Sequence, residues 1–447
     1  MFDEKLLFRW LVSMLALGLM SMLSFYGIAF AENSSGPIPL QPRIDRAVNG
    51  EVITLAPGTY SGPIVIDKSV TIQGDDSVVL INPKAAPAIS VQSDEVRLTG
   101  FRVRQEHLGE HAAIHVTANQ VVLSDLDIES QGYGIILRKA SQGTLQHNLI
   151  RWTGPSSTKN ALKGNGIDLY ASQEIRITDN EIHDVRDGIY MENSRSIEVA
   201  NNRLFGNRYA IHLMYVHLSS ITGNLGEGNV TGAMVMGANK AVVTGNTFRK
   251  QSENVHSQGI LLYDVQRSIV ADNVLEGNRV GLYIQESSEN EISRNDLLRN
   301  FVGVQFNHAE GNELHSNRFV SNVIEAQAVE SRNNVIRHNY WDSFQGLDLN
   351  GDGGSEAAYA INPFYQRLIQ RNSAFQLFFQ SPGMTFLSDL HTEGRSEWLT
   401  DLSPRMKLDA ASRAYAGDNE NNRFVPWLGG LLLLAAGYMF YLGGKRK

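Results

Sequence analysis

Ile177-Thr178-Asp179-Asn180 and Val243-Thr244-Gly245-Asn246 are one short phrase written twice: an apolar start, a turn residue, then Asn. The same Asn recurs at Asn148, Asn180, Asn202, Asn224, Asn246, Asn273, Asn295, Asn317 and Asn339, and six of the eight steps are 22 residues. A second mark runs 14 residues ahead of it, a small residue before alternating apolar positions, at Gly134, Gly166, Gly188, Ala210, Gly232, Gly259, Gly281 and Gly303. Strands this short, separated by tight turns and repeating at this period, cannot be helices. They match one coil of a parallel β-helix.

Working outward, degenerate coils end at Gly74, Gly100 and Asp125, so a right-handed parallel β-helix is expected over residues 52–341. About twelve coils stacked at ~4.8 Å give an all-β rod of roughly 58 Å. Residues 39–51 are expected to cap its first coil, with a short amphipathic helix from Pro39 to Val48 that turns Ile44 and Val48 to one side. The Asn column reads as a structural ladder, each amide bonded to its neighbours above and below. More telling are the breaks in the repeat. Extra residues before Ala113, Gly166 and Gly259 all fall at one corner, carrying His107, His111 and His256, and insertions gathered on one edge often mark a working face. A corner that merely tolerates length is the plain alternative.

Composition narrows the function. A net charge of -8 argues against nucleic acid as the partner, since a polyanion needs excess Lys and Arg. The chain has no cysteine, which excludes disulfides, thiolate metal sites and a Cys nucleophile, and suits an exported protein. Residues 1–31 read as a signal peptide, with Lys5 and Arg9 before an apolar run and Ala29-Phe30-Ala31 as a cleavage pattern, or, since the run is long, as an uncleaved N-terminal anchor. Residues 342–408 form a C-terminal extension and 409–423 a polar linker. Residues 424–443 are an uncharged apolar run of membrane-spanning length, with Trp427, Tyr438 and Tyr441 as interface anchors. Lys445, Arg446 and Lys447 in the tail 444–447 then place the β-helix outside the cell membrane as a single-pass protein.

Aligned coils put the second and fourth positions after each small residue on the outer surface. His212 then lies over Met234, and Met214 over Met236. Imidazole and thioether are borderline to soft ligands, which without thiolates favour Cu(I) over hard cations. His217, just beyond the strand, and His256, in the inserted loop, are candidates to complete or gate the site. A methionine-covered contact surface is the bland alternative.

The run Arg208-Tyr209-Ala210-Ile211-His212-Leu213-Met214-Tyr215, followed by Gly232-Ala233-Met234-Val235-Met236, resembles the NosD family of periplasmic copper-maturation proteins. So do Pro57-Gly58-Thr59-Tyr60 and Asn339-Tyr340-Trp341-Asp342, although those features are shared with many carbohydrate-type β-helices. The resemblance spans about Pro39 to Leu390. It implies an accessory protein that works with an ABC transporter, an ATPase and a permease, in assembling the copper-sulfur centre of nitrous oxide reductase, receiving copper from a lipoprotein chaperone. His212, Met214 and Met236 fall on the family pattern. Met234 departs from it, and so does a C-terminal membrane helix.

Two features lie beyond the repeat. Asp348, Asn350, Asp352 and Glu356 resemble a calcium loop, oxygen ligands at alternate positions with Gly353 for the turn, though Tyr359 stands where an EF-hand has its bidentate Glu. A turn closed by its own side chains is the alternative. Phe375 to Leu390, with Phe378, Phe379, Met384 and Phe386, reads as an apolar hairpin and a candidate permease contact, or else a cap on the last coil. A rival class is an extracellular polysaccharide lyase, hydrolase or epimerase, or a glycan-binding surface β-helix, because parallel β-helices host many. Asp168, Tyr170, His183, Tyr190 and Glu192 could serve it, yet no paired-carboxylate motif repeats on adjacent coils.

Overall fold

The computed structural model describes residues 36–251, 257–378, 381–391, 395 and 398–407. The expected signal segment, His256, Phe379, the linker and the apolar run 424–443 lie outside the described residues. Among the described residues no helix is long and apolar enough to cross a membrane.

The repeat folds as read. Three sheets of fourteen, twelve and fifteen strands run the length of a solenoid, and every neighbouring pair is parallel except Tyr359–Ala360 against Thr400–Asp401. With fourteen strands on one sheet the solenoid has about fourteen turns, more than the dozen expected. It begins at Ile38–Pro39, which pairs with Tyr60 and Ser61, so the first turn starts ahead of Val52. Proline is tolerated there because the strand is an edge. The cap helix spans Gln41–Arg46 and buries Ile44, but Val48 lies beyond it and is 68% exposed. Leu40 and Ala47 take the inward role instead.

Each coil turns sharply at the residue before the ladder Asn, where the chain enters the left-handed region: φ is 57° at Asp179, 56° at Asn201 and 53° at Arg294. For a side chain other than Gly this costs about 1–2 kcal/mol. The ladder holds it. Asn202 donates its backbone N–H to Asn224 Oδ1 at 2.9 Å, and its Nδ2 to the same oxygen at 3.0 Å and to the Ile177 carbonyl at 2.8 Å. Two more ladders keep the same period, though the sequence reading does not single them out: Asn207, Asn229, Gln251, Asn278, Asn300 and Asn322, and Asn290, Asn312 and Asn334. Inside, stacked aliphatics such as Ile177, Val199, Ile221 and Val243 are almost fully buried.

At the far end the chain folds back. Asp401 Oδ2 accepts from the backbone N–H and Nδ2 of Asn339 and from the Trp341 indole, each at 3.0 Å, so a carboxylate ends the main ladder. The segment expected as an apolar hairpin is helical, a 3-10 turn at Ser373–Phe378 and an α-helix at Pro382–Leu390. Ser381 and Pro382 explain the difference. Ser381 caps the helix by accepting from the Met384 N–H, and Pro382 occupies its first turn.

Candidate metal centre

The outer face of the twelve-stranded sheet carries the candidate residues in the expected register. Tyr190, His212 and Met234 are opposite one another on consecutive strands, as are Glu192, Met214 and Met236. Ile211 and Leu213 are fully buried on the other face, so the strand Tyr209–Met214 alternates as required. The three methionines are half-buried. His212 is not: only 6% of it is exposed, although it points away from the core.

What covers His212 is local. The Tyr190 and Tyr209 rings meet its ring edge-on, each with centroids 5.0 Å away. Its Nδ1 lies 3.0 Å from Oδ2 of the buried Asp187, one coil back. Arg208 grips the same carboxylate with Nε at 2.8 Å and Nη2 at 2.6 Å, and stacks over Tyr209. Burial pushes the Asp187 carboxyl up, but hydrogen bonds from His212 and Arg208 and the charges behind them outweigh it, leaving Asp187 below the usual carboxylate range. An ionised acceptor at Nδ1 places the proton of a neutral imidazole there. The lone pair then sits on Nε2, a buried atom with no hydrogen-bond partner. An orphaned buried nitrogen costs about 1–3 kcal/mol, which a ligand at that atom would relieve.

Of the thioethers, Met214 meets a hydroxyl. Tyr190 donates toward Glu192 Oε2 at 2.7 Å, with Met214 Sδ at 3.3 Å from the same hydroxyl. Burial first, then the bond to Glu192, raises the Tyr190 phenol well above its ordinary value, so it remains a neutral donor. Among the described residues no three His, Asp or Glu side chains are placed to share a metal, so an ion at this patch would need the methionine sulfurs. Borderline nitrogen with thioether sulfur is a donor set for a soft ion. The strands Asp187–Glu192, Tyr209–Met214 and Thr231–Met236 follow short turns, whereas the flanking strands Ile167–Tyr170 and Gln258–Tyr263 follow the long insertions.

Not every predicted residue joins. His217 is exposed at the next corner, its backbone bridged to Arg195 and Asn239. His107 and His111 meet edge-on at 5.4 Å in the first inserted loop. Of the partner candidates, Phe378 and Phe386 are exposed, but Met384 is buried. The Asp348 loop is closed on itself: Asp348 accepts from Gly351 and Gly353, Asn350 from Asp352, Asp352 from Gly354, and Glu356 from Leu349. These bonds fix the shape of the turn. Of the polysaccharide constellation, Asp168 lies opposite Tyr190 and Tyr170 opposite Glu192 on adjacent strands of the same face as the patch. His183 stands apart on the fourteen-stranded sheet beside Glu181, and Asp168 is paired with Arg138 and bonded by Asn165.

Asp187 and Arg208 are site residues that the sequence reading misses. Their signal is a column: position 187 is the one acid among Asn165, Tyr209, Thr231, Gln258 and Val280, and an arginine follows it into the next coil.

The family model described as a periplasmic copper-binding protein (NosD) matches residues 153–352, which include the whole patch. A probable ABC transporter binding protein NosD of Pseudomonas aeruginosa is 29% identical, over 80% of this chain and 89% of the relative. Its counterpart from Stutzerimonas stutzeri is 25% identical over 87% and 93%. Among solved structures, a point mutant of the periplasmic alginate epimerase AlgG superposes with a TM-score of 0.50 at 14% identity, over 64% of this chain and 84% of that one. A Yersinia enterocolitica family 28 exopolygalacturonase gives 0.51 at 12%, over 66% and 74%. These two likenesses describe the fold alone.

Proposed function

We propose that this chain, a NosD-type protein, is an accessory factor rather than an enzyme, and handles Cu(I) as cargo for the copper-sulfur centre of nitrous oxide reductase. It works outside the cytoplasm with an ABC transporter, permease and ATPase, and takes copper from a chaperone. A single membrane span at 424–443 holds it at its transporter. His212 Nε2 is the anchoring donor, and Met214, Met236 and Met234 supply the thioethers.

One observation carries this reading: a histidine fixed through Nδ1 to an ionised carboxylate, with a buried Nε2 that nothing in the protein satisfies. Metal-ligating histidines are oriented by that kind of support. The test is Cu(I) titration of the purified protein under reducing conditions, against a variant with His212, Met214 and Met236 all changed to Ala. Loss of binding with an unchanged circular dichroism spectrum is expected, because the three side chains lie outside the core. A variant that binds Cu(I) as tightly as the wild type would make the patch a contact surface only.

A further inference from the structure

The helix Pro382–Leu390 buries Met384 and turns Phe386, Leu387 and Leu390 outward, 63%, 50% and 61% exposed. Those three positions, spaced i, i+1 and i+4, share one helical face. Phe378, at the end of the preceding 3-10 turn, is 55% exposed as well. The helix before it, Phe364–Arg371, carries two exposed arginines one turn apart, Arg367 and Arg371. A helix with an exposed aromatic and aliphatic face, in a segment that also carries cations, has the chemistry of one lying in a membrane interface. A soluble surface would gain nothing from such a face.

The sequence supplies the membrane. Residues 424–443 are uncharged and apolar, and only sixteen residues, 408–423, separate them from the last described position. Sixteen residues reach at most about 55 Å. We infer that the outer face of the Pro382–Leu390 helix docks on the bilayer surface, Phe386, Leu387 and Leu390 entering the headgroup boundary and Arg367 and Arg371 meeting anionic headgroups. This rests on the membrane tether proposed above. It adds an orientation to it. The helix is joined to the rod's end through Asn362, whose Nδ2 donates to the Ser388 carbonyl at 2.7 Å. The strand Tyr209–Met214 is five strands up the twelve-stranded sheet from its last strand, Ile324–Val329. At ~4.8 Å per step the patch is held roughly 24 Å along the rod from that end.

Because the chain has no cysteine, a single introduced one can carry a probe. The full chain with Leu390→Cys, labelled with a nitrobenzoxadiazole dye, is reconstituted in phosphatidylcholine–phosphatidylglycerol vesicles containing doxyl-labelled acyl chains. Ile269→Cys, an exposed apolar position on the fifteen-stranded sheet, is the control. Docking predicts a blue-shifted emission and roughly twofold or greater quenching at position 390, with neither at 269. It also predicts that Phe386→Ser with Leu387→Ser abolishes the difference without lowering the melting temperature. A chain that floats with the vesicles while its 390 probe stays accessible to aqueous iodide overturns the docking and leaves the tether standing. A chain that does not float overturns both. Shielding at 390 only when a permease is co-reconstituted overturns the lipid assignment in favour of a protein contact.

Discussion

Replacing Asp187 by Asn isolates the feature on which the metal reading depends. The side chain keeps its size and one oxygen, but loses the charge that fixes the proton on His212 Nδ1. Outer-shell support of this kind is worth about 10–100-fold in metal affinity, or roughly 1.4–2.8 kcal/mol. The fold should feel the change less. Arg208 stacks on Tyr209 and is 26% exposed, so water can take over part of its lost partner. A cost of about 1–2 kcal/mol is expected, below the ~3–5 kcal/mol of a fully buried broken pair.

The assay is competition for Cu(I) against a chromophoric chelator, run as a double-mutant cycle with His212→Ala. If Asp187 acts through the imidazole, Asp187→Asn weakens binding in the wild-type background and has no further effect once His212 is gone. Coupling of that size identifies contacting residues that work as a unit. Two results would refute the reasoning. One is an Asp187→Asn affinity within about twofold of wild type. The other is an equal loss in both backgrounds, which would mean that the substitution acts on the fold.

Two further predictions concern the scaffold. Asn224→Ala removes the acceptor of the Asn202 backbone N–H and the donor to the Val199 carbonyl; at ~1–3 kcal/mol for each orphaned buried group, about 2–6 kcal/mol of local stability is lost. Hydrogen exchange should show the loss confined to the coils around position 224, and a uniform change along the rod would contradict a ladder of nearest-neighbour bonds. The second concerns the buried Glu325. Burial pushes this carboxyl up, against hydrogen bonds from Tyr359 and Ser343. The folded state then keeps the proton to higher pH than the unfolded chain, so the contribution is full below about pH 4.3 and is lost as pH rises through the folded value. The stability of wild type minus that of Glu325→Gln should fall as pH rises above about 4, and a difference that rises would reverse the sign.

How far the sequence reaches is set by what repeats. Asn180, Asn202 and Asn224 stand at one spacing because each bonds to the next, so a physical ladder leaves a textual column, and the register that follows places His212 over Met234 without further information. The end structures carry no such column. Asp401 closes the ladder from 62 residues beyond Asn339, and nothing periodic announces a contact made once. The helix at Pro382–Leu390 is legible from Ser381 and Pro382, yet its run of Phe and Leu residues pulls the reading toward a strand.

The burial of His212 shows the remaining gap. Periodicity assigns a side chain to the inner or outer face, and on that count His212 is outward. Whether an outward residue is wet depends on its neighbours, here Tyr190, Tyr209 and the Asp187–Arg208 pair, which arrive from two adjacent coils. The distinction decides the chemistry. A solvated imidazole on a sheet surface has water for both nitrogens and holds nothing in particular. One enclosed by two tyrosines, with a carboxylate at Nδ1, has a single unsatisfied direction, and an ion bound along it replaces no protein hydrogen bond. The same enclosure sets the methionines apart from a mere apolar cover, since they lie on the next coil and the next column from that open nitrogen. On the copper reading proposed above, selectivity for a soft cation would rest on this nitrogen together with the half-exposed thioethers beside it.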